Sequence, residues 1–253
     1  MEQLSQSWFG GASDALSSAM ANGATASLLA SFGTGVGAVP VLFTRQLSAR
    51  WKTLLLSVGS GVMLSAAAFS LFLPALALAG ASEVFGGLAA GVAISYGLQR
   101  ILSPADLDQR AEAQHIWLFI LAVALHHFPE GLAVGIGTEA THGAGIAVGV
   151  ALQNLPEGLM VALALRQLGY GAGVALGLAA ASGWLDPLGG WLGTTLVDSA
   201  IAPIAMALAA GAMLFVVLHE LVPELNLKKL NSSGSVGLVT GLLAMAMVEQ
   251  FLV

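Results

Sequence analysis

The sequence predicts an all-α membrane protein with eight transmembrane helices, and three observations carry this prediction. Of the 253 residues, 57% are hydrophobic and only 9% are charged, whereas a soluble domain has about 25% charged residues. Long apolar runs follow one another with short polar connections between them. The 32 glycines are spread along the chain, as suits helices whose backbones pack closely within lipid.

Eight apolar runs are long enough to be membrane spans, because about 20 helical residues cross the hydrocarbon core. They cover approximately residues 22–44, 53–79, 83–101, 116–138, 143–165, 171–195, 201–223 and 234–253. We expect one transmembrane domain over residues 22–253, preceded by a polar N-terminal segment over 1–21. The longest connection, at about 102–115, is predicted to be a cytoplasmic loop.

The basic residues predict how the chain is oriented. In the eight-span arrangement every lysine and arginine falls on one side of the membrane, namely Arg45, Arg50, Lys52, Arg100, Arg110, Arg166, Lys228 and Lys229. Positive charge favours the cytoplasmic side, so both termini are predicted to be extracytoplasmic.

Composition excludes several classes of function. The chain has no cysteine, which removes disulfides and thiolate metal sites together. A net charge of −6 without a basic patch argues against nucleic acid as a partner. The chain also lacks the Gly-x-x-x-x-Gly-Lys loop that binds nucleotide phosphates.

One short motif occurs twice, once in the fourth predicted span and once in the fifth. The sequence reads HHFPEGL from His126 and QNLPEGL from Gln153. A charged residue at the centre of a bilayer costs about 2.5–3.5 kcal/mol on insertion scales. Two glutamates in matching contexts therefore indicate a function, and the repetition predicts two halves of one site.

Helical geometry places the polar side chains of each motif on one face. Successive residues turn by about 100°, so Glu130 lies about 40° from His126 and about 60° from His127 around the axis. Glu157 has the same relation to the two amides before it. Each proline also frees the backbone carbonyl four residues earlier. The motifs therefore offer carboxylates, imidazoles, amides and carbonyl oxygens on two adjacent helices.

This set of side chains predicts a site for divalent transition metals. The candidate ligands are His126, His127, Glu130, Gln153, Asn154 and Glu157. Imidazole and carboxylate without thiolate suit Zn²⁺, and also Cd²⁺, Fe²⁺, Mn²⁺ or Co²⁺. They argue against the all-oxygen cage that Mg²⁺ or Ca²⁺ prefers.

Further polar or soft side chains occur in other spans, and each has a structural alternative. Asp186 stands beside a proline in the sixth span and is either a ligand or paired with a backbone donor or a loop arginine. Met63 in the second span offers a thioether, or simply packs, and Ser70 in the same span can bond to its own helix. His219 and Glu220 lie near the end of the seventh span, where charge is tolerated more easily.

The sequence motifs fit enzymatic functions poorly. A metalloprotease needs His-Glu-x-x-His on a helix, and His219-Glu220 is followed by Pro223 with no second histidine. The Glu-x-x-His spacings of a di-iron enzyme occur only at 112–115 and 139–142, in connections. A transporter whose buried carboxylates relay protons without metal remains the alternative, although a relay needs neither the histidine pair nor the amides.

The paired motifs, with DPLG from Asp186 and HELVPE from His219, resemble the ZIP (Zrt/Irt-like) metal transporters, especially the compact bacterial GufA-type members. The resemblance covers the chain from Met63 to the C-terminus. It implies a 3+2+3 arrangement in which the first and last three helices form an inverted repeat. It also implies elevator-like movement of metal toward the cytoplasm across a plasma (inner) membrane, in lipid and often as a homodimer.

The resemblance implies a two-metal centre and a path on either side of it. One ion would be held by Met63, His126, Glu130, Gln153 and Glu157, and the second by His127, Glu130, Asn154, Glu157 and Asp186. Ser70 corresponds to a polar residue near the outer entrance of the family, and His219 and Glu220 correspond to its inner exit.

The chain departs from the family pattern at two positions of the second site. The family usually has His-Asn where this chain has His126-His127, and relatives with two full sites often have Asp in place of Asn154. The second site therefore has one more imidazole and one carboxylate fewer. We expect it to be occupied but tuned differently, in the direction of zinc.

Overall fold

The computed structural model describes residues 22–102, 111–141, 144–218 and 232–252, and every regular element among them is helical. The helices are α1 (Gly23–Ala38), α2 (Ala49–Ser65), α3 (Leu73–Leu78), α4 (Ala81–Leu102), α5 (Ala111–Thr141), α6 (Ala144–Gln167), α7 (Ala172–Ser182), α8 (Leu185–Leu196), α9 (Ala202–Val216) and α10 (Ser232–Leu252). A 3₁₀ turn, Val39–Leu42, extends α1, and a π-helix, Ala66–Phe72, joins α2 to α3.

Several of these helices suit a membrane. Five described segments are long and apolar enough to cross a bilayer, namely Gly23–Leu42, Ala49–Leu78, Ala81–Ile101, Ile116–Thr138 and Gly145–Gln167. Two shorter apolar helices, Ala202–Val216 and Gly234–Gln250, follow. These segments coincide with the first five and the last two predicted runs. The prediction of an all-α membrane protein is confirmed.

The sixth predicted run, 171–195, is two helices rather than one. The first helix ends at Ser182, and the second begins at Leu185. The N–H of Gly183 turns back onto the carbonyl of Ala180 at 3.3 Å, which ends α7. As a result Asp186 lies in the first turn of α8. A helix start has free N–H groups and a dipole that favours negative charge, so the break provides a place for a buried carboxylate.

The predicted loop at about 102–115 is shorter than expected. Helix α4 continues to Leu102, and α5 already begins at Ala111. The residues from 111 to 115 include alanine, glutamate and glutamine, which favour helix, so α5 extends beyond its apolar part. The rest of this connection, the N-terminal segment 1–21 and the predicted exit residues His219 and Glu220 lie outside the described residues.

The helices pack as two groups. The first group contains α1, α5, α6, α7 and α8, and its most extensive contacts join α5 to α8 and α1 to α6. The second group contains α2, α4, α9 and α10, with α2 on α10 and α4 on α9. Between the groups, α5 touches α9, and α6 touches α2 and α10. The two motif helices therefore belong to the first group and face the second.

Contacts within a group differ in kind from contacts between the groups. A Cβ atom on Gly61 of α2 would lie 2.2 Å from the carbonyl oxygen of Leu238 in α10, so these backbones touch directly. Between the groups, the nearest atom to a Cβ on Gly149 of α6 would be the sulfur of Met245. At these two positions backbone meets backbone within a group, whereas a flexible side chain lies between the groups.

Candidate metal centre

The two motifs lie on α5 and α6, and their polar side chains are buried. Both helices continue through the motif proline, Pro129 in α5 and Pro156 in α6. None of the six polar residues is more than 8% exposed, a set made up of His126, His127, Glu130, Gln153, Asn154 and Glu157. Imidazoles, amides and carboxylates buried together in this way require partners for their polar atoms.

A first group of possible metal ligands consists of His126, Glu130 and Glu157. One ligand atom from each lies within 4.8 Å of the others. The Nε2 atom of His126 is 2.9 Å from Oε1 of Glu130, which also accepts a hydrogen bond from the amide of Gln153. Among the described residues, neither Oε2 of Glu130 nor Oε1 of Gln153 has a hydrogen-bond partner.

A second group consists of His127, Glu130 and Asp186, again with ligand atoms within 4.8 Å of one another. Nδ1 of His127 is 2.7 Å from the carbonyl oxygen of Val123. A carbonyl only accepts, so Nδ1 carries the proton and Nε2 of the neutral ring presents its lone pair. That Nε2 atom lies 3.9 Å from Oε2 of Glu157. Glu130 thus belongs to both groups.

Asn154 uses its amide nitrogen to position a neighbour. Nδ2 donates to Oδ2 of Asp186 at 3.0 Å and to the carbonyl oxygen of Ala30 at 3.2 Å. Both N–H donors are therefore used, one on α8 and one on α1. The remaining oxygens, Oδ1 of Asn154 and Oδ1 of Asp186, have no hydrogen-bond partner in the described part of the chain.

The glycine of each motif admits the backbone of another helix. A Cβ atom on Gly131 would lie 1.9 Å from the carbonyl oxygen of Asp186, and one on Gly158 would lie 1.9 Å from that of Thr34. Thr34 is fully buried, and its hydroxyl oxygen is 3.2 Å from Nε2 of His127. The sequence analysis did not single out Thr34, because a threonine in an apolar run carries no signal of its own.

These residues fit a divalent cation. Four buried oxygens of Glu130, Asp186 and the two amides that bond to them have no hydrogen-bond donor among the described residues. Each such atom costs about 1–3 kcal/mol when left unsatisfied. A cation bound among them would satisfy several at once. Nitrogen and oxygen ligands to one zinc ion lie at about 2.0–2.2 Å from it, which suits neighbours as close as His126 and Glu130.

Met63 packs against the motif helix α5 through apolar neighbours. It is fully buried on α2, in an apolar cluster that includes Leu132 and Ala133 of α5. One turn earlier, a Cβ on Gly59 would lie 3.3 Å from the ring of Pro156. The α2 face that carries Met63 therefore packs on the motif helices, and its role as a thioether ligand stays a prediction.

Ser70 has a partner that the sequence analysis did not assign to it. Its hydroxyl donates to the carboxylate of Glu249 on α10. Both residues line a cavity of about 550 Å³, together with Phe69, Pro74 and Ile146. Glu249 is half-buried, and its contact with Ser70 joins α10 to the π-helix.

Comparison with known proteins identifies relatives across most of the chain. The family model described as ZIP Zinc transporter matches residues 103–249. The zinc transporter GufA of Myxococcus xanthus is 36% identical over 88% of this chain and 95% of its own length. The zinc transporter ZIPB of Bordetella bronchiseptica is 38% identical over 85% of this chain and 76% of its own. Human zinc transporter ZIP11 is 37% identical over 54% of this chain and 43% of its own.

The matched region contains both motifs and Asp186, so the likeness includes the buried cluster as well as the apolar helices. The relatives are transporters rather than enzymes, in agreement with the absence of an enzymatic signature from the sequence. With its all-helical fold and membrane-length apolar segments, this chain is a multi-pass membrane protein that belongs to the ZIP family of zinc transporters.

Proposed function

We propose that the chain carries divalent transition-metal ions, Zn²⁺ first among them, toward the cytoplasm across the inner membrane of a bacterium. The observation that carries this proposal is the buried cluster on α5, α6 and α8, where two ligand groups share Glu130. Its bacterial relatives are named as zinc transporters, and the chain covers most of their length.

The cluster supports a site for two ions. The first would be bound by Met63, His126, Glu130, Gln153 and Glu157, and the second by His127, Glu130, Asn154, Glu157 and Asp186. Glu130 belongs to both ligand groups, which supports a bridging role. Glu157 belongs to the first group and approaches Nε2 of His127 at 3.9 Å, so it is the second candidate bridge.

The chemical types of the candidate ligands also indicate which metals the site prefers. Two imidazoles and three carboxylates without thiolate suit Zn²⁺, and the same ligands accept Cd²⁺, Fe²⁺, Mn²⁺ and Co²⁺. The second imidazole, His127, shifts the second site toward metals that prefer nitrogen. We propose Zn²⁺ as the main substrate and Cd²⁺ as the next.

Helix pairing supports eight spans in a 3+2+3 arrangement with both termini extracytoplasmic. The pair α1–α6 is matched by α8–α5, and the pair α2–α10 is matched by α9–α4. Exchanging the first three spans with the last three, and α5 with α6, converts each pair into its counterpart. An inverted repeat produces this pattern and places a substrate site near the midplane. We propose one such domain over residues 22–253.

The two helix groups support an elevator-like movement. The site lies in the first group, and the surface that faces it contains Met206 and Met213 of α9 and Met245 of α10. Methionine side chains adapt to new packing more readily than branched ones. We propose that the first group moves against the second and carries the site across the membrane. A homodimer, which the resemblance to the family implies, remains a prediction.

The path on either side of the site is also a proposal. The cavity beside Ser70 and Glu249 provides an acidic, open pocket that would receive a cation from the extracytoplasmic side. His219 and Glu220 are proposed for the cytoplasmic exit because they occupy the end of the seventh predicted span.

Uptake of Zn²⁺ or Cd²⁺ into proteoliposomes tests the proposed function. We expect saturable uptake by the wild type and none by Glu130→Ala combined with Glu157→Ala. Glu83→Ala is the matched control, because Glu83 is exposed at the start of α4. Equal uptake by the double variant would reject the site. If the wild type takes up no metal but changes the internal pH of the vesicles, the carboxylates relay protons instead.

A further inference from the structure

Helix α1 approaches the second motif closely at Thr34. The carbonyl oxygen of Thr34 would lie 1.9 Å from a Cβ on Gly158, and its hydroxyl oxygen 2.8 Å from a Cβ on Gly183. The residue is fully buried. Thr34 is therefore enclosed by α6 and by the break between α7 and α8.

Thr34 is the counterpart of Asp186 when the two motifs are compared. The glycine of the first motif, Gly131, faces the backbone of Asp186, and the glycine of the second, Gly158, faces the backbone of Thr34. Asp186 contributes a carboxylate to the second ligand group. The equivalent position on α1 contributes a hydroxyl to the same centre.

That hydroxyl points at a ligand atom. It lies 3.2 Å from Nε2 of His127, whose Nδ1 is held by the Val123 carbonyl at 2.7 Å. Because Nδ1 carries the proton, Nε2 accepts a hydrogen bond from Thr34. A zinc–imidazole bond of about 2.0–2.1 Å uses the same lone pair. The space between nitrogen and hydroxyl oxygen is too short to hold an ion bonded to both in line.

We propose that the Thr34 hydroxyl and the second metal ion compete for Nε2 of His127, an inference that rests on the proposed metal site. In the metal-free centre the hydroxyl fixes the imidazole with its lone pair toward the site. When the second ion binds, the hydroxyl leaves, and a helical threonine has another favoured rotamer available in which its hydroxyl bonds to a carbonyl of the preceding turn.

The competition makes the second site weaker than its ligands alone would make it. A net hydrogen bond of ordinary strength corresponds to a factor of about 2–10 in affinity. The first ligand group contains His126 rather than His127, so the first site should not depend on Thr34. Thr34 is thus a positioning residue that sets the difference in affinity between the two sites.

Calorimetric titration of the purified, metal-free full-length protein with Cd²⁺ tests this inference. Thr34→Ala should tighten the second site by about 2–10-fold and leave the first unchanged. Thr34→Ser keeps the hydroxyl and should match the wild type. Ser31→Ala is the control on the same helix, because the Ser31 hydroxyl bonds only to the Leu28 carbonyl among the described contacts. In a His127→Asn background, Thr34→Ala should change neither affinity.

A measurement on the wild type does not depend on how well a variant folds. Nitrogen-15 NMR of histidine-labelled, metal-free protein should show His127 protonated at Nδ1, with Nε2 shifted as a hydrogen-bond acceptor. Thr34→Ala should move the Nε2 signal and leave the tautomer unchanged. A proton on Nε2 in the wild type would overturn the inference, as would a second site that Thr34→Ala does not tighten. Wild-type protein that binds no Cd²⁺ would reject the proposed metal site itself.

Discussion

The two copies of the motif share Pro-Glu-Gly-Leu, yet their polar pairs act in opposite ways. On α5, His126 and His127 contribute nitrogen atoms to the two ligand groups. On α6, Gln153 donates a hydrogen bond to Glu130, and Asn154 donates to Asp186. The polar pair on α5 therefore presents nitrogen atoms to the ligand groups, whereas the amide nitrogens of the pair on α6 orient the carboxylates of Glu130 and Asp186.

Because the two polar pairs differ, a duplicated motif produces two unequal sites. Glu130 and Asp186 each accept a hydrogen bond from one side-chain amide. The other carboxylate oxygen of each has no donor among the described residues and can bind a cation. Hydrogen bonds of this outer kind fix the geometry of ligands and commonly change metal affinity by about 10–100-fold. The asymmetry also extends to the flanking helices. Asp186, whose backbone contacts Gly131, carries a carboxylate, and Thr34, whose backbone contacts Gly158, carries a hydroxyl.

The largest expected effect distinguishes the two glutamates. Glu130→Gln should reduce affinity at both sites by at least about 100-fold, because Glu130 belongs to both ligand groups, and loss of an outer partner alone costs about 10–100-fold. Glu157→Gln should weaken the first site more than the second. Equilibrium dialysis with Cd²⁺ measures both. Equal losses of affinity in the two variants would contradict the assignment of Glu130 as the ligand shared by both ions.

The two histidines should separate the two ions. His126→Ala is expected to abolish binding of the first ion, and His127→Ala binding of the second. Each variant should then bind one ion where the wild type binds two. The bound-metal stoichiometry after desalting, measured by atomic emission, shows the change. A histidine variant that loses both ions would mean that the sites do not fill independently.

The motif glycines should be intolerant of any side chain. Gly131→Ala and Gly158→Ala each place a Cβ 1.9 Å from a carbonyl oxygen, and should lower the free energy of unfolding by about 1–3 kcal/mol. Gly177→Ala is the control, since no described atom of another helix lies within 4 Å of a Cβ at this position, and a helical alanine gains about 0.5–1 kcal/mol. Thermal unfolding in detergent gives the comparison, and equal stability of all three would contradict the close approach.

Asn154→Asp should give the smallest effect and the one most dependent on metal. The variant loses the hydrogen bonds to Asp186 and Ala30 and places a second carboxylate beside Asp186. Without metal it should lose about 1–2 kcal/mol of stability, and saturating Cd²⁺ should restore it. A loss that Cd²⁺ leaves unchanged would show that Asn154 does not face the site.

Geometry within a helix was predictable from the sequence, and contact between helices was not. The rotation of about 100° per residue placed Glu130 beside both histidines, and the structure has Nε2 of His126 at 2.9 Å from its carboxylate. Thr34 and Glu249 were missed as partners, because each reaches its neighbour only after distant spans pack together. No local pattern records that approach.

Hydropathy predicted the extent of most helices but not their internal breaks. The run over 171–195 is uniformly apolar, and only the structure shows that it ends at Ser182 and restarts at Leu185. Apolar content reports the solvent around a segment, whereas the break depends on backbone hydrogen bonds near Gly183. The same limit applies to the start of α5 at Ala111, which lies beyond the apolar part of that helix.

Anomalous diffraction from Cd²⁺-bound crystals tests the two-ion centre most directly. We expect two ions between α5 and α6, both in contact with Glu130. One should lie beside His126, and the other beside His127 and Asp186. Ions bound only elsewhere, or a single ion that does not touch Glu130, would contradict it.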